Sequence, residues 1–320
     1  MVPAAHFPFV DAVALPLGSG LAWDGEVREM AAPQFALNPQ SVPGLELIGS
    51  RDERIDDGHR AELFGERLYG DNLSARQIAA WHEDERESYA SLGAGDLENY
   101  RYVYHALNAR HGWRHIPVRS YGQALGIGSA WGDEFEPVAS LVEQLTLLEP
   151  SEAFVRDEVH GIPTRYEKPE VSGKLPFPDE SFGLITCFGV LHHLPNPRYT
   201  LSEMRRCLQP GGYALVREPI VSMGDWRKPR PGLTKNERGI PLSIFQSAIK
   251  RAGFSIERET PCMFPLVRRL AGDAPYLDNR ATALDELLSA FLRWNLRYHA
   301  VSRFAKLRPT SVYYVLTRTS

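Results

Sequence analysis

Cysteine is scarce: the 320-residue chain has three, Cys187, Cys207 and Cys262. None has the short spacing of a CxxC zinc site, and three are too few for a disulfide framework, as suits a reducing compartment. A strong charge of one sign is missing as well. Thirty-six Lys and Arg stand against 40 Asp and Glu, for a net charge of -4 and an isoelectric point near 6.2, which leaves no electrostatic footprint for nucleic acid. No apolar run approaches the roughly 18 residues of a membrane-spanning helix, and no charged start leads into an apolar leader segment. There is no internal repeat and no low-complexity tract. These absences predict a soluble, cytoplasmic protein with no metal ligands, no nucleic-acid partner and no integral membrane segment. Oligomeric state has no signature in the chain.

What is present falls into three regions. Residues 1–57 are rich in proline and glycine, with short apolar pieces at Ala12–Leu17 and Gly44–Ile48, and read as an extension of loops and small strands. Residues 58–116 turn helical, with Asp71-Asn-Leu-Ser74 capping a helix over Ala75–Tyr89. Trp81, His82 and Tyr89 on that helix either touch a ligand or, as aromatics at helical spacing more often do, pack a core. Residues 117–320 alternate strand-like and helix-like segments, the pattern of a parallel sheet. Within them a helix is expected over Leu242–Ala252, ending at Gly253. A strand over Phe254–Arg258, a helical insertion at about 259–310 centred on Ala281–Tyr298, and a final strand over Ser311–Thr317 follow.

Two motifs stand out in this last region. Gln123-Ala-Leu-Gly-Ile-Gly-Ser-Ala-Trp-Gly132 brings together Gly126, Gly128 and Gly132, which allow positive φ and close backbone approach to a ligand. Leu145-Thr-Leu-Leu-Glu149 then ends an apolar run in a carboxylate. At the carboxyl end of a second strand such a group can accept hydrogen bonds from both ribose hydroxyls. A dinucleotide fingerprint would need a third glycine where Trp131 stands, too large for pyrophosphate to come close. Further on, Leu175–Pro219 reads LPFPDESFGLITCFGVLHHLPNPRYTLSEMRRCLQPGGYALVREP, two apolar strands joined through a paired histidine, a helix and a Pro-Gly-Gly turn.

This block, with the glycine turn and Glu149 upstream, resembles a class I S-adenosylmethionine-dependent methyltransferase. The resemblance implies an α/β, Rossmann-like fold with a seven-stranded sheet of order 3-2-1-4-5-7-6, the helical region 58–116 serving as a lid, and S-adenosyl-L-methionine as cofactor. It places the cofactor against Gly126, Gly128, Ser129, Gly132, Glu149, Pro150, Leu175, Phe188 and Gly189. The chain departs from the family pattern at several points. Gly126 stands where an acidic residue is usual, with Asp133 and Glu134 nearby as substitutes. Ala130 replaces the middle glycine, and Gly183 a common Asp. For the adenine amine only Glu170 and Ser172 are candidates.

Methyl transfer to an alcohol also requires a group to take the hydroxyl proton, and histidine begins near the working pH. The resemblance puts His192 and His193 beside the methyl position. Neighbouring residues on extended backbone point opposite ways, so one of the two is expected to face substrate; the resemblance to enzymes that turn the first residue of such a pair inward implies His192 as the base and His193 as its partner, unless both merely cap the strand. Glu218, closing the next strand, either orients the histidine, binds a substrate hydroxyl, acts as base itself or pairs with Arg217 or Arg227. In the loop Met223–Pro241, Trp226 can stack on a sugar face, and Arg227, Arg230 and Arg238 can hold an anionic group; a solvated basic loop is the alternative. Together with Trp294–His299 and Leu307–Tyr313, the loop resembles methyltransferases of bacterial surface polysaccharides. The expected activity is therefore O-methylation of a sugar, glycan or other small hydroxylated substrate. Alternatives are O- or N-methylation of a secondary metabolite, a non-catalytic cofactor-binding protein, and metal assistance through Asp225, Glu218 and the histidines.

Overall fold

A computed structural model describes residues 57–92, 102–230, 233–272 and 275–319. The extension expected over 1–57, with its two short strands, lies outside these except for Asp57. The described chain begins with helices α1 (Asp57–Leu63), α2 (Ala75–Leu92) and α3 (His105–His111). Ser74 and Gln77 form a capping box at the start of α2, the Ser74 amide donating to Gln77 Oε1 at 2.9 Å and the Gln77 amide to Ser74 Oγ at 3.4 Å.

The sheet comprises β1 (Gly122–Ile127), β2 (Val142–Leu148), β3 (Glu158–Val159), β4 (Ile162–Glu167), β5 (Phe182–Phe188), β6 (Leu208–Pro219), β7 (Ser255–Cys262) and β8 (Ser311–Thr317). Its order is β3-β4-β2-β1-β5-β6-β8-β7. This corrects the expected seven-stranded sheet: among the described residues the sheet has eight strands. The addition is two-residue β3, which turns back at His160 and Gly161, both at positive φ, and pairs antiparallel with β4 at the edge. The other seven neighbour one another as β4-β2-β1-β5-β6-β8-β7. Strands β4, β2, β1, β5 and β6 pair in parallel, and β8 runs antiparallel to both β6 and β7.

Strands covered on both faces carry continuous apolar runs, and here successive residues feed opposite cores. Leu125, Ile185, Val216 and Tyr314 join one core with α4 (Pro197–Cys207) and α5 (Leu242–Arg251). Their neighbours Ala124, Leu184, Leu215 and Tyr313 join the other, with α3 and the 3-10 stretch Asp133–Leu141. Pro137 lies inside that stretch, where the missing amide donor disfavours a regular α-helix. The segment after β7 holds α6 (Pro265–Ala271) and α7 (Asn279–Phe291). Asp278 caps α7 by accepting from the amides of Arg280 and Ala281. Strand β7 runs four residues past the expected Arg258, and α7 ends well before Tyr298. Among the described residues, no helix is long and apolar enough to cross a membrane.

Candidate active site

Three chain segments meet at the carboxyl ends of β1, β2 and β5, where ligands of doubly wound sheets bind. The first is the glycine turn after β1. Gly128, Ala130 and Gly132 all have positive φ, at 63°, 48° and 75°. A Cβ on Gly128 would stand 2.6 Å from Val190 Cγ2, in the turn leaving β5. A Cβ on Gly126 would crowd Ser129 Oγ and Leu147 Cδ2, so packing alone requires glycine where the family has an acid. The same holds at Gly183, where a Cβ would come within 2.2 Å of the Tyr121 carbonyl oxygen.

Beside this turn sits Glu149, just past β2 and 3 % exposed. Its carboxylate accepts from the amides of Ala130 (3.1 Å) and Ser151 (3.2 Å). Burial pushes the group up to about 7 against the pull of those two amides, and nearby Glu134 raises it further. Glu134 is itself buried, accepts from Thr186 Oγ1 at 3.2 Å, and is raised by burial to about 7. A glycine cradle that a Cβ would fill, beside a buried carboxylate with lone pairs left after two amides, fits a nucleoside ligand.

The remaining cofactor candidates are spread more widely. Gly189, at φ 72°, donates its amide to the Arg217 carbonyl, and Phe188 packs against Tyr313. Pro150 is exposed. Leu175 is core, its amide bound to Glu203. Glu170 and Ser172 are exposed and bonded to each other. Trp131 is buried edge-on against Phe154.

The turn after β5 is organised by Glu218, which is fully buried at the end of β6. Its carboxylate accepts from the amides of Val190, Leu191 and His192 at 2.9, 2.8 and 3.3 Å, and pairs with His192 Nδ1 at 2.8 Å. The other ring nitrogen, Nε2, faces Glu237 Oε1 at 3.5 Å. Burial alone would lower His192, but the two carboxylates outweigh it and raise the imidazole to about 9. Burial opposes ionisation of Glu237, and His193 and His192 reverse that, holding it near 2. His193 Nδ1 pairs with Glu85 of α2 at 3.3 Å, and Trp81 Nε1, one turn earlier on the same helix, donates to the His193 carbonyl at 2.7 Å. Helix α2 therefore packs against His193 through Trp81 and Glu85. The side chain of Tyr89 lies outside the described residues.

The loop residues expected to hold substrate divide. Arg238 is fully buried and donates to the carbonyls of Tyr69, His192 and Leu194. Arg230 donates to those of Met223, Thr234, Lys235 and Glu237. Both guanidiniums staple the loop to itself and to the β5 exit. Arg227 is bound bidentately by Asp225, which also faces His59 at 3.4 Å. That engagement keeps Asp225 out of the histidine cluster, so the ion-binding set of Asp225, Glu218 and the histidines does not assemble. Trp226 stacks on Tyr69 (4.7 Å, 17°) in the wall of a cavity of about 490 Å³, shared with His59, Arg67, Lys235 and Asn236. Sequence reasoning missed Glu85 and Glu237. Glu85 follows Trp81 by four residues and so shares its helix face. The Asn236-Glu237-Arg238 run, set between Leu233 and Ile240, was the signal that polar side chains turn inward there.

Residues 125–216 match the family described as "methyltransferase domain". An uncharacterized methyltransferase of Schizosaccharomyces pombe is 44 % identical over 45 residues, 14 % of this chain and 16 % of that protein. A tRNA U34 carboxymethyltransferase of Nautilia profundicola is 39 % identical over 51 residues, 16 % of this chain and 17 % of that one. The chain thus spans about a sixth of the length of these curated relatives. Among solved structures, the N-methyltransferase NodS of Bradyrhizobium japonicum, in complex with S-adenosyl-L-homocysteine, is 13 % identical with a TM-score of 0.43, over 75 % of this chain and 98 % of that one. This likeness to a methyltransferase domain covers 92 of the chain's 320 residues.

Proposed function

We propose that the protein is an S-adenosylmethionine-dependent O-methyltransferase acting on a hydroxyl of a small polyhydroxylated substrate, a sugar or glycan terminus. The observation that carries this reading is the buried His192–Glu218 pair at the exit of β5, in contact through Val190 with the glycine turn. The cofactor, when bound, supplies an activated methyl group. Glu149 accepts the ribose hydroxyls with the lone pairs that Ala130 and Ser151 leave, and Gly126, Gly128, Ser129, Gly132 and Gly189 let backbone close around the ligand. Glu218 fixes His192 with Nδ1 toward itself, so that Nε2 takes the acceptor's proton, a contribution of roughly 10²- to 10⁴-fold. His193, held by Glu85, lies beside His192 with ring centroids 4.0 Å apart, so the two rings converge where extended backbone would have parted them.

Helix α2 and the loop over 223–241 cover the histidines and exclude water. Holding the acceptor oxygen in line behind the methyl contributes further, up to roughly 7 to 11 kcal/mol in well-oriented systems. A sugar acceptor is supported by the aromatic and amide-bearing wall of Tyr69, Trp226 and Asn236 next to this cluster. The arginines lend less support to an anionic acceptor, since Arg230 and Arg238 are engaged by backbone. Calorimetric titration with S-adenosylhomocysteine beside NAD, followed by turnover on a panel of sugars, is the test. Binding of the former alone with methylated sugar as product is expected, and absence of S-adenosylhomocysteine binding refutes the proposal.

A further inference from the structure

We infer that His192, His193 and Glu237 form a binding site for one divalent transition-metal ion of the zinc class. One ligand atom from each of these side chains lies within 4.8 Å of the other two. Tetrahedral zinc with bonds of about 2.0 to 2.2 Å sets neighbouring ligand atoms roughly 3.3 to 3.5 Å apart. His192 Nε2 and Glu237 Oε1 already stand 3.5 Å apart, at that spacing.

The surroundings are those of a supported site rather than a chance surface cluster. Histidine ligands ordinarily pass their second ring nitrogen to a carboxylate, which fixes the ring and raises its basicity. Here each imidazole has such a carboxylate on Nδ1, Glu218 for His192 at 2.8 Å and Glu85 for His193 at 3.3 Å. The second oxygen of Glu237 is held by the amide of Thr234 at 2.9 Å, which turns Oε1 toward the histidines. Glu85 is fixed in turn by the amide of Asn236 at 3.0 Å. His192 and Glu237 are 2 % and 4 % exposed, so the cluster is enclosed by protein. Imidazole and carboxylate donors select zinc, cobalt or nickel over magnesium and calcium, which prefer all-oxygen sites.

Two nitrogens and one carboxylate leave a fourth position open, the arrangement of sites that admit water or substrate. An ion there would occupy the nitrogen that the metal-free enzyme offers to the acceptor proton. Metal loading and proton acceptance by His192 are therefore alternative states of one site. The ion site itself does not depend on the methyltransferase reading; its competition with proton acceptance does.

The test is titration of chelator-treated, full-length protein with Co²⁺ followed by its visible absorption, and with Zn²⁺ by calorimetry. S-adenosylhomocysteine binding and circular dichroism are recorded on the same samples. One equivalent of tetrahedral Co²⁺ is expected in the wild type. His192→Ala should abolish it, and Glu237→Gln should weaken it at least tenfold. Glu85→Gln, outside the ligand set, should weaken it by roughly 10- to 100-fold. Absence of stoichiometric binding to folded wild type, or equal binding by folded His192→Ala and Glu237→Gln, overturns the inference. Neither result bears on the methyltransferase reading, which the S-adenosylhomocysteine arm decides separately.

Discussion

Cofactor affinity should depend on pH through Glu149, and the structure sets both sign and size. The carboxyl is buried and raised from the ordinary 4.5 to about 7. Only its ionised form can accept both ribose hydroxyls while keeping the amides of Ala130 and Ser151. Binding must then release a proton wherever the free protein holds one, so affinity is full above pH 7 and falls as the pH drops through it. With a value near 7, about ten in eleven molecules are ionised at pH 8 and about one in eleven at pH 6. The expected loss is about tenfold.

The assay is calorimetric titration with S-adenosylhomocysteine from pH 6 to 8 in buffers of different ionisation heat, which reads affinity and proton release together. Glu149→Gln should bind at least tenfold more weakly at pH 8, where a hydrogen bond to a charged acceptor contributes roughly 1.5 to 3 kcal/mol, and should lose most of the pH dependence. Glu134 titrates nearby at a similar value, and this variant assigns the effect to one acid. In the free protein the linkage runs the other way. A carboxyl raised in the folded state stabilises fully below its unfolded value, and that contribution disappears as the pH rises through 7. Wild type should therefore lose up to about 3 kcal/mol between pH 4 and 8 that Glu149→Gln retains. Affinity that is flat from pH 6 to 8, or a variant that matches wild type at pH 8, refutes the ribose assignment.

Three further outcomes are expected. With His192 raised to about 9 by its two carboxylates, metal-free turnover should climb with pH until about 9; Glu237→Gln should move that profile to lower pH, and His192→Ala should cut turnover by about two orders or more while S-adenosylhomocysteine affinity holds. A pH profile unchanged by Glu237→Gln contradicts the assigned contact. Arg238→Met strips donors from the carbonyls of Tyr69, His192 and Leu194, that of His192 buried, and should destabilise by about 3 kcal/mol or more, whereas exposed Arg227→Ala should change stability by less than about 1 kcal/mol; thermal melts that rank them equally overturn the stapling role. Gly128→Ala places a methyl 2.6 Å from Val190 at positive φ, so S-adenosylhomocysteine affinity should drop more than tenfold, with partial recovery in the double variant Gly128→Ala, Val190→Ala; the absence of any drop would mean the turn yields easily.

The order of motifs along the chain determined much of this protein. Gly128 and Gly132 had to stand where φ is positive, Glu149 had to follow an apolar strand, and the runs at Phe182–Phe188 and Ser311–Thr317 had to lie between two covered faces. Each follows from local sterics and hydrophobic pattern, which sequence carries directly. The edge strand Glu158–Val159 escaped notice because two residues carry no periodicity. The packing reasons for glycine at 126 and 183 depend on Leu147, Ser129 and Tyr121, which only the fold brings there. Long-range proximity also decided the fate of the charged groups. Arg230 and Arg238 read as substrate ligands in one dimension, but burial obliges their donors to satisfy backbone carbonyls. Glu85 and Glu237 lie over 150 residues apart in sequence, and they came to flank the same histidine pair because α2 and the 223–241 loop close over one sheet edge. Chemistry-bearing residue types were written in the sequence; which of them share a desolvated volume, and so bend one another's proton affinity, was settled by tertiary packing.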